Sequence, residues 1–201
     1  MKIMIIGAAG TIGSAVTSAC EAAGHQIVRV GRTSGEYQVE QSDPASIRAL
    51  FAAVGRVDAI VSCAGQARFK PLAELADDDF AFSFANKLMG QINLARIGAE
   101  HVADGGSITL TSGVLAQEPI PGSAAIALVN AGLEGFARAA ALELPRALRI
   151  NIVSPPWVDV TLVKFGMPPD GGYPASTVAK AYVDALTGSM TGQTLDARTY
   201  A

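Results

Sequence analysis

Short apolar runs alternate along the chain with longer runs of small, helix-compatible residues. Ile3 to Ile6 is an apolar run stopped by Gly7, the pattern of a strand buried on both faces. Thr11 to Ala23 reads as a helix that Gly24 ends. Gln26 to Val30 is β-rich and closes at Gly31. Asp43 followed by Pro44 starts a helix, with Asp as N-cap and Pro at the first helical position, running to about Val54. Asp58 to Ser62 gives a third strand. Asp77 to Val102 predicts one long helix, entered through three aspartates that complement the positive end of its dipole. Ser107 to Thr111, Ser123 to Leu144, Arg149 to Val153, Ala175 to Leu186 and Thr194 to Asp196 then predict strand, helix, strand, helix and a last short strand. Val163 to Pro174, rich in Gly and Pro, is expected to be a surface loop.

Strands alternating with helices mean βαβ units and a parallel sheet covered on both faces. The predicted fold is a doubly wound α/β (Rossmann-type) single domain over residues 1–201, with no repeat and no linker to divide it. Composition agrees: 201 residues, 50% hydrophobic and 16% charged, fit one well-buried core rather than a disordered chain. A net charge of −3 speaks against duplex nucleic acid, whose phosphates need clustered Lys and Arg. The two cysteines, Cys20 and Cys63, cannot staple a chain this long, and no Cys/His cluster has metal-ligand spacing. The expected setting is therefore the reducing cytoplasm, with no metal. No apolar run approaches the ~20 residues of a membrane span, and the apolar start at Met1 to Ile6 is too short for a signal peptide.

The chemistry begins at Gly7-Ala8-Ala9-Gly10-Thr11-Ile12-Gly13, where the first strand turns into the first helix. Glycines there let backbone approach a pyrophosphate, and a helix N-terminus offers N–H donors and a positive dipole end. The same glycines could instead serve only a tight turn. An acid that binds the ribose of NAD is expected about 20 residues further on. Gly31-Arg32-Thr33-Ser34 stands there instead. Arg32 is suited to a bidentate pair with a 2′-phosphate, with the Thr33 and Ser34 hydroxyls beside it, so NADP is expected over NAD. The competing reading of Arg32 is a solvated turn residue.

These residues belong to an ordered set of motifs that resembles the short-chain dehydrogenase/reductase family over nearly the whole chain. Gly7 to Gly13 matches the cofactor loop, and Glu40-Gln41-Ser42-Asp43-Pro44 resembles the acid-bearing stretch near adenine. Ser62-Cys63-Ala64-Gly65 stands where the family has Asn-Asn-Ala-Gly, and Asn86-Lys87-Leu88-Met89-Gly90 resembles its Asn-x-x-Gly segment. Gly106 to Ser112 looks like the strand ending in the catalytic serine, and Arg149 to Pro155 like the strand before the Pro-Gly turn. Leu133-Glu134-Gly135-Phe136 and Thr191-Gly192-Gln193 match the flanking segments. The resemblance implies Ser112 and Asn86 as catalytic residues. It implies Gly7, Ala9, Gly10, Thr11, Ile12, Gly13, Arg32, Thr33, Ser34, Glu40, Gln41, Cys63, Ala64, Gly65, Pro155 and Val158 as cofactor-binding residues.

The resemblance also exposes departures. Counting back from Leu133-Glu134-Gly135, the family's catalytic Lys position falls on Asn130 and its Tyr position on Ile126. Isoleucine has no proton to give, and asparagine carries no charge to stabilise a phenolate. The four tyrosines are Tyr37, Tyr173, Tyr182 and Tyr200, and no lysine occurs between Lys87 and Lys164. The Pro-Gly turn is changed to Pro155-Pro156, and the region from Trp157 to Pro174 is short for a substrate cover. Ser112 has a plain alternative as a locally bonded strand-end serine, Asn86 as a helix residue, and Cys63 as a buried small residue. Two functions stay open: an NADP(H)-dependent oxidoreductase of unknown small-molecule substrate with an atypical active site, or a non-catalytic NADP(H)-binding sensor or scaffold. Ordinary carbonyl reduction is expected to be absent or very weak. The long helices carry more apolar surface than one sheet covers, so a homo-oligomer, dimer or tetramer, is expected.

Overall fold

A computed structural model describes residues 1–164, 166 and 168–201; Phe165 and Met167, inside the predicted loop Val163 to Pro174, lie outside the described residues. The strands are β1 (Lys2–Ile6), β2 (Gln26–Gly31), β3 (Tyr37–Gln38), β4 (Val57–Ser62), β5 (Val102–Thr111), β6 (Arg149–Ser154) and β7 (Thr194–Asp196). They form one sheet in the order β3-β2-β1-β4-β5-β6-β7, and every pairing is parallel. The helices are α1 (Thr11–Ala22), α2 (Pro44–Val54), α3 (Asp77–Ser83), α4 (Gly90–Gly98), α5 (Ala124–Ala140), α6 (Asp159–Lys164) and α7 (Ala175–Thr187).

Two apolar layers sandwich the sheet, and β1 feeds both. Met4 and Ile6 pack with Ile47 and Phe51 of α2, Leu94 of α4 and Leu133 of α5. Ile3 and Ile5 point the other way, into Val16 and Cys20 of α1 and Val178 and Tyr182 of α7. Side chains alternate faces along a strand, so a strand covered on both sides must be apolar throughout. Asp43 caps α2 as expected, its carboxylate accepting the Ala45 N–H at 2.8 Å.

The predicted helix Asp77 to Val102 is corrected by the structure. It is α3, a wider π turn over Phe84–Met89, α4, and a single turn over Ala99–His101, and Val102 opens β5 instead of closing the helix. Gly98 packs tightly between the sheet and α2: a Cβ there would lie 2.5 Å from both Ile60 of β4 and Phe51 of α2. Val102 then pairs with Val57, and the register shifts before Ala59 meets Ser107. Two further differences are small. The short edge strand β3 adds to the strands expected from the sequence, and the short helix α6, not expected from the sequence, takes in Val163 and Lys164 from the start of the expected loop.

The strand order reverses direction at β1. The chain winds outward through β2 and β3, then returns to place β4 on the other side of β1. In such sheets the crevice beyond the carboxyl ends of the strands at this switch point receives the ligand. Gly7 and Ala64 meet there, with a Cβ on Gly7 only 3.1 Å from the Ala64 Cβ and N.

Candidate active site

The glycine loop is built for close approach. Gly7 holds a φ of +83°, and its N–H donates to the Val30 carbonyl at 2.8 Å. A Cβ on Gly13 would lie 2.0 Å from the Gly7 carbonyl oxygen, so α1 starts directly against the end of β1. Gly10 is the N-cap of α1 and supplies no side-chain cap, so the first turn at Thr11, Ile12 and Gly13 leaves its free N–H donors to an outside partner.

Beside this loop lies a cavity of about 250 Å³. It brings together Gly7, Arg32, Thr33, Glu40, Gln41, Ala64, Gly65 and Asn86, eight of the residues singled out in the sequence. Glu40 turns its carboxylate onto the Ser42 hydroxyl at 2.7 Å and the Ser42 N–H at 3.1 Å, which holds its pKa below the usual carboxylate range. Arg32 forms no salt bridge with any described residue. Gln41 is 7% exposed, donates from Nε2 to the Asn86 carbonyl at 2.8 Å, and leaves Oε1 without a partner. A buried, unpartnered acceptor on a residue that lines a cavity needs a donor, which an adenine amino group or a ribose hydroxyl can supply. The cradle therefore fits a dinucleotide.

Not every expected cofactor residue reaches this cavity. Ala9 and Ser34 line a neighbouring one with Ser14, Ser18 and Arg29. Cys63 packs on the core beside Tyr182, and burial pushes its thiol up to about 12, the protonated and unreactive form. Val158 is buried in that same layer. Pro155 lies elsewhere, in the second cavity.

That second cavity, about 130 Å³, is lined by Lys87, Ser112 and Asn130 among apolar neighbours that include Ile126, Leu115 and Trp157. Among the described residues its lining holds no tyrosine. Ser112 is 2% exposed, and its hydroxyl donates to Glu134 of α5 at 2.8 Å. Asn86 lies in the first cavity, where its Oδ1 accepts the Gln66 N–H at 3.0 Å. Its neighbour Lys87 is the one that arrives at the serine. Lys87 Nζ donates to the Ser112 carbonyl at 3.0 Å, and a Cβ on Gly65 would touch the Lys87 stem at 3.1 Å. Lys87 thus runs from the rim of the first cavity into the second.

The sheet explains this placement. β4 pairs with β5 only as far as Thr109, so the last backbone groups of β5 have no strand on that side. Gln91 of α4 replaces the missing strand, taking the Thr111 N–H at 2.8 Å and giving to its carbonyl at 2.9 Å, and Lys87 takes the next carbonyl. The π turn inserts a residue between α3 and α4 and re-aims the side chains of this helical stretch, a feature frequent at functional sites. In the sequence Lys87 figures only as the residue after Asn86; the signal that could have found it is spacing, because Asn-x-x-Gly counted back from Gly90 falls on Lys87, with Asn86 one residue too early.

Residues 7–167 match the profile of a family described as enoyl-(acyl carrier protein) reductase. The chain belongs to the short-chain dehydrogenase/reductase family. Members of this family use a nicotinamide cofactor. The protein lin1944 of Listeria innocua has a solved structure that is 40% identical, with a TM-score of 0.94 covering 98% of both chains. A small-chain dehydrogenase solved in complex with NADPH is 27% identical, with a TM-score of 0.87 covering 98% of this chain and 95% of that one. Hydroxynaphthalene reductase arp2 of Aspergillus fumigatus is 32% identical over 134 residues, 64% of this chain and 49% of that enzyme. The chain thus spans about half the length of that curated relative.

Proposed function

We propose that this chain binds NADP(H) in the first cavity and is an oxidoreductase acting on a small substrate in the second, through an atypical active site. The observation that carries the reading is the first cavity itself, where Arg32 stands free of any salt bridge among the described residues while Glu40 is turned onto Ser42. A guanidinium outside any salt bridge matches the dianionic 2′-phosphate that distinguishes NADP from NAD. The NADPH bound by the 27% identical neighbour supports the same choice.

Within this reading Gly7 and the first turn of α1 face the pyrophosphate, Arg32 and Thr33 the 2′-phosphate, and Gln41 Oε1 the adenosine. Gly65 lets the chain pass close to the cofactor as it leaves β4. When bound, the dinucleotide supplies the hydride. Ile126 and Asn130, which stand at the family's Tyr and Lys positions, both line the second cavity, so neither serves there as a proton donor. Asn130 gives a weak hydrogen bond to the Gly113 carbonyl at 3.4 Å and keeps its Oδ1 buried and unpartnered, an acceptor for a substrate hydroxyl or N–H. The mostly apolar lining strengthens the polar contacts that remain.

The test is a titration with NADPH and NADH followed by nicotinamide fluorescence, with oxidation of the tighter ligand then assayed against aldehydes, ketones, quinones and activated alkenes. Tighter NADPH binding with turnover of any class supports the reading. Equal affinities would remove the NADP assignment, and tight binding without turnover of any class would leave a dinucleotide-binding protein that is not an enzyme.

A further inference from the structure

The geometry points to Lys87 as the proton donor of the second cavity, protonating the oxygen of a carbonyl substrate held between Lys87 Nζ and Asn130 Oδ1. The inference rests on the reading of the first cavity as the dinucleotide site. Three observations carry it. Lys87 is 9% exposed and uses one of its three N–H donors, on the Ser112 carbonyl at 3.0 Å, leaving two without a partner among the described residues. Asn130, 1% exposed and lining the same cavity, has an unpartnered Oδ1. The remaining lining is mostly apolar, so a ligand is the natural partner for both groups.

Two unpaired groups of opposite character select the ligand. Lys87 needs an acceptor oxygen, and Asn130 Oδ1 needs a donor. A small ketone or aldehyde bearing a hydroxyl or amide N–H satisfies both, and a plain hydrocarbon ketone leaves the asparagine unpaired. As the carbonyl carbon is reduced, negative charge develops on its oxygen. One Nζ–H bond of Lys87 breaks, an O–H bond forms on that oxygen, and the electron pair stays on nitrogen as a neutral amine. The amine takes its proton back from water at the mouth of the cavity.

Burial lowers the Lys87 pKa to about 8, a suitable range for a group that gives and regains a proton near neutrality. The other titratable groups packed at this strand end are Glu134 of α5, which takes the Ser112 hydroxyl, Tyr182 of α7, whose hydroxyl bonds the Thr111 hydroxyl, and Cys63 beside Tyr182. Burial pushes both Tyr182 and Cys63 upward, away from neutral pH, so neither provides a competing acid.

The experiment compares the native protein with Lys87→Met and with Lys87→Gln, the latter retaining a donor for the Ser112 carbonyl. The first readout needs no turnover: 4-nitrophenol is titrated into the NADP⁺-loaded protein and its absorbance is followed with pH. Beside an ammonium the bound phenol ionises at a lower pH than in water, and this shift disappears in both variants. The second readout is NADPH-dependent reduction of hydroxyketones. Either variant should lose roughly 100-fold or more in kcat, with NADPH affinity unchanged within about twofold. The native profile should fall above about pH 8. The same phenol shift in a folded variant, or a variant that reduces at the native rate, overturns the proposal. If no substrate is turned over, the phenol spectrum alone decides. Loss of NADPH binding by the native protein would instead strike the dinucleotide reading.

Discussion

Lys87 and Ser112, 25 positions apart in sequence, are joined by a 3.0 Å hydrogen bond from the lysine ammonium to the serine carbonyl. The bond seals the open end of β5 and at the same time fixes a charge in a mostly apolar cavity. A buried ammonium with a single protein partner is costly to hold. That cost gives the first prediction.

Lys87→Met should be more stable than the native protein at neutral pH. Burial lowers the lysine from 10.5 to about 8, a cost of about 3 kcal/mol in the charged state. Met removes the charge but leaves the Ser112 carbonyl unpaired, so a net gain of roughly 1–2 kcal/mol is expected. The sign with pH depends on which state holds the proton. Between about pH 8 and 10.5 the unfolded chain keeps the Lys87 proton while the folded one has lost it, so native stability rises there relative to the variant. Urea melts of both proteins at pH 7 and pH 10 should show the gap closing. A gap constant with pH would count against the buried charge.

Arg32→Ala should erase most of the preference for NADPH over NADH. Losing one charge-assisted pair costs on the order of 1.5–3 kcal/mol, or roughly 10- to 150-fold in affinity for NADPH, with NADH little changed. Isothermal titration with both dinucleotides measures the two values, and an equal loss for both would assign Arg32 a general electrostatic role.

Gln91→Leu should destabilise the fold by roughly 2–5 kcal/mol. It leaves the Thr111 N–H and carbonyl, both bonded by the fully buried Gln91, without partners. Denaturant melts give the size. The backbone amide of Thr111 should also lose its protection from hydrogen exchange, because no strand pairs with it on that side.

Gly13→Ala and Gly24→Ala separate two uses of glycine. A Cβ on Gly13 would lie 2.0 Å from the Gly7 oxygen, so the loop must shift, costing on the order of 3 kcal/mol and most of the dinucleotide affinity. Gly24 has open space around it but a φ of +79°, so its change should cost only about 1–2 kcal/mol of backbone strain and leave binding intact. Thermal melts and NADPH titrations on both variants test the contrast.

A homo-oligomer is expected in solution, formed on the faces that leave Phe84, Met89 and Leu128 at least a third exposed. Light scattering at micromolar concentration should give a multiple of 20.6 kDa, and Leu128→Glu with Met89→Glu should reduce it to the monomer.

The amino-acid pattern by itself determined the layered sheet, because a strand buried on both faces must be apolar at every position, as Ile3 to Ile6 is, and because helix caps such as Asp43 are local signals. It also determined the glycine loop, whose tightest approach, Gly13 onto the Gly7 carbonyl, falls within the span itself. The helix predicted over Asp77 to Val102 shows where local pattern stops. Its apolar spacing continues past Gly98, but the close approach of that glycine to Phe51 and Ile60, and the pairing of Val102 with Val57, are long-range events with no local trace. The same holds for the candidate site. Sequence order pairs Lys87 with Asn86, and only the π turn and the unpaired end of β5 send the two side chains into different cavities. An unpaired backbone carbonyl must find a donor wherever the fold leaves one within reach, and here the fold left Lys87.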